Sequence, residues 1–327
     1  MTIAFTICSI NYLAQARTLG DSLKKTNPEV RFFIGLVDRL EGVAFQEAYL
    51  PEYPMIEIDK IEIEDFDEMA NRYNITELNT AVKPFYFTYF FRNYPEATRA
   101  IYFDPDIIVY QPLTELLHNV DRHGAVLTPH INSAIEDRLT PNELHHLNTG
   151  IYNLGFVAFG RNQANIDYLH WWEEKLRYEC YIDLCNGLFT DQHWMDFLPI
   201  FVDGVHIERS PGYNAAYWNL HERTFSEGNN GFIVNDQHPL IFFHYSGYDP
   251  AKPEVLSKYQ DRFELSRRPD LTHLFKIYRE SLLNLGNAYY RNFPCAYIKP
   301  VVVKRYLRVR KWLKKPFESV INRLQTT

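Results

Sequence analysis

The chain has 327 residues, 46% of them hydrophobic and 16% aromatic, which supports a large core in one or two domains. No run of about 20 apolar residues occurs, so no segment has the length and polarity of a membrane-spanning helix. The net charge of −7 conceals a basic C-terminus, and the acidic remainder argues against nucleic-acid binding over most of the surface.

Residues 3–8 are apolar and have no basic segment before them, so they predict a first strand and not a signal peptide. Leu13, Ala16, Gly20 and Leu23 then recur at helical spacing, and Asn27-Pro28 predicts the stop. Residues 31–37 read as a second strand that delivers Asp38, and residues 55–58 as a third, weaker one. Helices are predicted over 65–73 and, rich in aromatics, over 76–94, with Pro84 near the first turn. Asn74-Ile-Thr76 is a formal glycosylation sequon, disregarded in a chain read as lacking a signal peptide. The stretch Ala100-Ile-Tyr-Phe-Asp-Pro-Asp-Ile-Ile-Val-Tyr110 reads as two buried strands joined as a hairpin by Asp104-Pro105-Asp106. Further strands are expected at 124–128, 155–159 and 240–243, and helices at 165–178 and 190–198. Residues 129–148, rich in histidine and asparagine, read as a mobile loop. Helical pattern dominates from residue 250, over 271–290 and 303–324. This alternation indicates an α/β fold, a mainly parallel sheet flanked by helices. The expected division is a catalytic domain over 1–255 and a helical C-terminal extension over 256–327. Cys8, Cys180, Cys185 and Cys295 have neither metal-ligand nor disulfide-framework spacing, which predicts reduced thiols in a cytoplasmic protein.

In sheets of this kind ligands bind beyond the carboxyl ends of the strands, where Ser9, Asp38 and Asp104 are expected. Asp104 and Asp106 together can hold one hard divalent cation, and that cation can hold a diphosphate. His244, directly after an apolar strand, is either structural or a further ligand. As a ligand it favours Mn²⁺ over Ca²⁺. Ser246 and Gly247 are small enough for backbone N–H groups to approach a phosphate. Asp191 and Gln192 sit at a predicted helix start, as a cap or at a reacting carbon. Asn153, before a glycine and a strand, either makes a turn or bonds sugar hydroxyls. The stretch 210–221, dense in Tyr, Trp, Asn and His, suits either carbohydrate contact or packing beneath the site.

In this order the segments resemble the nucleotide-sugar-dependent GT-A glycosyltransferases, most closely the retaining family of glycogenin and the bacterial lipopolysaccharide galactosyltransferases. That family's Tyr-Leu-Asp-x-Asp is matched by Tyr102-Phe-Asp-Pro-Asp106 and its Asn-x-Gly by Asn153-Leu-Gly155. Its Asp-Gln-Asp is matched by Asp191-Gln192-His193, where His193 departs from the pattern, and its His-Tyr/Phe-x-Gly by His244-Tyr-Ser-Gly247. The family's later Lys-Pro-Trp is only echoed by Lys252-Pro253, which leaves Lys252 without a clear phosphate role. The resemblance covers roughly residues 3–250. It implies a Rossmann-like GT-A domain using Mn²⁺ or Mg²⁺, held by Asp104, Asp106 and His244, and a nucleotide diphosphate sugar, by expectation UDP-linked. Transfer would go to a glycan or lipid-linked glycan hydroxyl with retained configuration. It places Asp191 and Gln192 at the anomeric carbon, as charge stabilisers or as a transient nucleophile. It also implies that Ser9, Ile10, Asn11 and Tyr12 cradle the base. Tyr12 either stacks on that base or packs as a core aromatic, and Lys83 either reaches ribose or phosphate or is simply solvated.

Two rival readings are a nucleotidyltransferase acting on sugar phosphates and a non-catalytic carbohydrate-binding protein with a transferase-like fold. Against the first, Cys8-Ser-Ile-Asn-Tyr12 lacks the expected glycine-rich loop. Against the second, the three metal-type ligands are intact. From Lys299 onward nine bases accompany the single acid Glu318, interleaved with Tyr306, Val309, Trp312 and Leu313. As a helix this tail would suit an anionic membrane surface on the cytoplasmic side, in keeping with a lipid-linked acceptor and with no nucleic-acid partner.

Overall fold

The computed structural model of the protein describes residues 1–298. Strand β1 (Thr2–Cys8) leads through α1 (Leu13–Thr26) to β2 (Arg31–Leu36) and β3 (Met55–Glu57). Helices α2 (Phe66–Arg72), α3 (Ile75–Ala81) and α4 (Lys83–Asn93) precede β4 (Arg99–Phe103) and β5 (Ile107–Val109). Then come α5 (Thr114–His123), β6 (Ala125–Leu127), α6 (Glu143–Thr149), β7 (Phe156–Gly160) and α7 (Gln163–Glu179). A small hairpin, β8 (Ile182–Asp183) and β9 (Leu188–Phe189), leads into α8 (Gln192–Met195), α9 (Leu198–Phe201) and β10 (His206–Ile207). The remaining elements are β11 (Phe225–Gly228), β12 (Gly231–Val234), β13 (His238–Pro239), β14 (Phe242–His244), α10 (Thr272–Asn284) and α11 (Asn287–Tyr290).

Seven strands build the main sheet in the order β10-β6-β7-β4-β1-β2-β3. All neighbours pair in parallel except at β7, which runs against both β4 and β6. This is the mixed α/β architecture expected from the alternating pattern. The two-residue strand period splits the core into two layers. Ile3, Phe5, Ile7 and Tyr102 face the layer of α4 and α7, whereas Ala4, Cys8, Ile101 and Phe103 face that of α1, α10 and α11. Residues Met1–Tyr297 form one unit, and Leu274, Phe275, Tyr278 and Leu282 of the expected C-terminal extension lie in the same core layer as α1. The predicted helix over 303–324, and with it the basic tail, lies outside the described residues.

Three local expectations are corrected: the hairpin at Asp104–Asp106, the single aromatic helix, and the loop over 129–148. Strands β4 and β5 do not form a hairpin: β4 is central in the main sheet, and β5 pairs antiparallel with β14 in a separate two-stranded sheet. Pro105 thus sits where the chain passes from one sheet to the other. The aromatic helix is two helices that part at Val82, because Pro84 has no N–H to bond backwards and therefore lies in the first turn of α4. Asn74 of the sequon caps α3, accepting from the N–H groups of Thr76 and Glu77. The span 129–148 contains α6, and Arg262 grips Asp137 with two bonds of 2.8 Å.

Candidate active site

Ser9, Asp38 and Asp104 follow the carboxyl ends of the parallel strands β1, β2 and β4, and the β5–β14 register brings in Asp106 and His244. Ile107 pairs with His244, and the Tyr245 N–H donates to the Asp106 carbonyl at 2.8 Å. One backbone ladder therefore sets the histidine beside the second acid of the pair. His244 Nε2 lies 3.0 Å from Asp106 Oδ1 and 3.5 Å from Asp104 Oδ2. Among the described residues these are the only three His, Cys, Asp or Glu side chains grouped to hold one ion, with ligand atoms within 4.8 Å of one another. His244 is buried and the two acids are partly exposed, so the group is open on one side. Burial alone would lower the pKa of His244, but Asp106 and then Asp104 outweigh it and raise it. Two carboxylate oxygens and one imidazole nitrogen fit a divalent ion of the Mn²⁺ type.

Gly155 makes room for this histidine. A Cβ there would fall 2.3 Å from Cε1 of the buried His244 ring, so the ring would have to shift. The same residue ties the strands together, as its carbonyl accepts from the Asp104 N–H at 2.7 Å. Gly155→Ala is expected to weaken Mn²⁺ binding by more than about tenfold, on the scale seen when ligand support is disturbed. Calorimetric titration checks this, and an unchanged affinity would mean the ring has another place to go.

A second group lies behind the first. Asp191 and Lys83 form a buried ion pair, with Lys83 Nζ 2.5 Å from Asp191 Oδ2. Lys83 also donates to the Leu154 carbonyl at 2.7 Å and sits 4.2 Å from the centre of the Tyr102 ring. Neither solvated nor free to reach a ribose or phosphate, this lysine is held inside the protein. Burial raises the Asp191 pKa, and Lys83 opposes that rise. Gln192 is fixed at both ends of its amide. Its Oε1 accepts from the Leu154 N–H at 3.2 Å, and its Nε2 donates to the Thr149 carbonyl at 2.6 Å.

Asn153 is likewise turned inward. Its Oδ1 accepts from the Gly155 N–H at 3.1 Å and from Asn214 Nδ2 at 3.0 Å, and its Nδ2 lies 3.2 Å from His130 Nε2. The stretch 210–221 supplies much of this packing. Asn214 and Asn219 are fully buried, and the Trp218 ring stands edge-on to both His244 (5.1 Å) and His130 (5.4 Å). His130 stacks on His146, and burial pushes their pKa values down to about 3 and about 4. Sequence reasoning does not single out His130 or Asn214. The histidine richness of 129–148 is the available signal for the first, and the second is marked only as part of the aromatic and amide-rich stretch 210–221.

At the end of β1, Ser9 donates to the Val37 carbonyl at 3.0 Å. Asp38 accepts three backbone N–H groups, from Ile10 (3.1 Å), Arg39 (3.0 Å) and Ala296 (2.8 Å). Asn11 is half-buried, while Tyr12 is 45% exposed. Partial burial and then Asp106 raise the Tyr12 pKa, and Lys258 and Arg291 pull it down. Tyr12 is therefore electrostatic neighbour to Asp106 and to two cations. Gly247 has φ +76, and a Cβ there would fall 2.5 Å from Ser257 Oγ. Ser246 beside it is half-buried. A groove of about 750 Å³, lined by Tyr89, Arg92, Arg161 and Arg177 among others, contains none of these residues.

No family model matches the chain. The uncharacterised protein YfnF of Bacillus subtilis (strain 168) is 26% identical over 289 residues, covering 86% of this chain and 92% of its own. The chain is also similar to the solved structure of the galactosyltransferase LgtC in complex with donor and acceptor sugar analogs. That match has 15% identity and a TM-score of 0.45 over 86% of this chain and 96% of LgtC. The glycosyltransferase GlyE of Streptococcus pneumoniae TIGR4 has 16% identity and a TM-score of 0.45, over 90% of this chain and 65% of its own. Likeness at this level fixes neither a reaction nor a substrate.

Proposed function

We propose that the protein is a GT-A type glycosyltransferase that moves a hexosyl group from a nucleotide diphosphate sugar, UDP-linked, to a glycan or lipid-linked glycan hydroxyl. The observation that carries this reading is the meeting of Asp104, Asp106 and His244 at the carboxyl edge of a mainly parallel sheet. A divalent cation held there supplies Lewis-acid compensation for charge on the leaving diphosphate. Tyr12, exposed at the end of β1, offers the base a ring face, and the positive charge of Lys258 is felt at its hydroxyl. In this reading Lys258 takes the phosphate-side place for which Lys252 is a poor match.

Asp191 serves better as a fixed negative charge behind the reacting carbon than as a nucleophile. Its carboxylate is buried and committed to Lys83, and a nucleophile must reach the carbon it attacks. Retention is carried over from the family resemblance. The acceptor side is given to the surface around the Asp191–Gln192 turn, where Leu144, Leu147, Ile151 and Ile200 are exposed. Such a surface suits an amphiphilic acceptor at the cytoplasmic face of a membrane, as does the composition of the basic tail.

The direct test is release of UDP from a panel of UDP-sugars with Mn²⁺, with and without hydroxyl acceptors. Slow hydrolysis of one UDP-sugar, lost in EDTA, is expected. Pyrophosphate release from a nucleoside triphosphate and a sugar phosphate would move the assignment to a nucleotidyltransferase. Sugar binding with no turnover of any donor would move it to a binding protein. Salt-sensitive sedimentation of the full chain with anionic vesicles tests the membrane part separately, and failure to sediment at low salt removes it.

A further inference from the structure

We propose that Tyr102 is a positioning residue for the cation site: it holds one oxygen of Asp104 so that the other stays presented towards His244. The proposal rests on the metal-dependent function proposed for this site. Residues 102 and 104 are two apart at the end of β4, so the strand period places them on one face. The Tyr102 hydroxyl donates to Asp104 Oδ1 at 2.6 Å, while Oδ2 is the oxygen found 3.5 Å from His244 Nε2. A carboxylate on the bare end of a strand is free to rotate, whereas one with an oxygen bonded to a buried phenol is not.

The phenol is itself held in place. Tyr102 is 3% exposed, and Lys83 Nζ lies 4.2 Å from its ring centre. That cation is in turn fixed by Asp191 and the Leu154 carbonyl. A chain of contacts thus runs from Asp191 through Lys83 and the Tyr102 ring to Asp104. It joins the acid assigned to the reacting carbon to the acid assigned to the cation. A tyrosine serving only as core would need its ring and not its hydroxyl.

Tyr102→Phe separates the two roles, because it keeps the ring over Lys83 and removes the donor. Mn²⁺ binding to the full chain, without donor sugar, is measured by calorimetry and by electron paramagnetic resonance. We expect affinity to fall on the order of tenfold, the usual effect of losing a partner that orients a metal ligand. Thermal midpoint should shift by no more than a few degrees, and donor hydrolysis should recover at saturating Mn²⁺. Affinity within twofold of wild type overturns the positioning role and leaves the metal site standing. Absence of Mn²⁺ binding in the wild-type protein overturns both. If Tyr102→Phe is too unstable to titrate, the rise in thermal midpoint with added Mn²⁺ is compared between this variant and wild type, in melts begun at a temperature where both are folded. A rise equal to that of wild type at every Mn²⁺ concentration also overturns the proposal.

Discussion

Asp106→Ala is expected to abolish sugar transfer while leaving the fold intact. The Asp106 side chain is partly exposed, and its contact among the site residues is His244 Nε2 at 3.0 Å. The structural work at this position is done by its carbonyl, which accepts from Tyr245 and survives the substitution. The substitution removes one of the two carboxylates able to hold a divalent ion, and with it the compensation of diphosphate charge. Loss of a preorganised electrostatic group of this kind costs roughly a hundredfold to a thousandfold in turnover. Steady-state kinetics beside a thermal melt checks the result. Activity within a few fold of wild type, or full wild-type activity in excess EDTA, would remove the metal from the mechanism.

The second large effect is on stability. Lys83→Ala is expected to cost about 3–5 kcal/mol, because it strands a charge on Asp191 where solvent does not reach. The double variant Lys83→Ala with Asp191→Ala should lose less than the sum of the two single losses, since it leaves no unpaired charge. The pH dependence has a defined sign. Burial already sets the folded pKa of Asp191 above the usual carboxylate value of 3.8, and loss of Lys83 raises it further. Protonation then favours the folded state. The deficit of Lys83→Ala is therefore full above that raised pKa and fades as pH falls towards 3.8. Denaturant melts at several pH values test both parts, and a deficit of under about 1 kcal/mol at neutral pH would show that the pair is not buried in solution.

Much of the site is legible in the sequence because its residues sit at the ends of apolar runs. Cys8 and Phe103 close parallel strands, and the residues after such strands lie at the ligand edge, while His244 closes the apolar run of β14. The pairing of those runs is not legible. Ile107–Val109 reads equally well as the return arm of a hairpin, and its real partner, Phe242–His244, is distant in sequence and marked by no local turn. Side-chain orientation is hidden too. Asn153 reads either as a turn residue or as a sugar contact, and its bonds to Gly155, Asn214 and His130 fit the turn. Lys83 lies inward because Asp191, more than a hundred residues later, neutralises it. Burial of a charge depends on its partner, and that partner is fixed only by the tertiary fold.

The pairing of β5 with β14 also bears on how the protein assembles. Asp106 and His244 come together only when two distant segments of the chain have closed into one ladder, so the unfolded chain has no such group to offer an ion. Forming that ladder carries the loop-closure cost of everything between the two strands. An ion that ligates all three side chains binds the folded species alone and draws the folding equilibrium towards it by mass action. The melting temperature should consequently climb with ion concentration even when no sugar is present. In a cell, the supply of that ion would then influence how much of the protein persists as well as how fast it works.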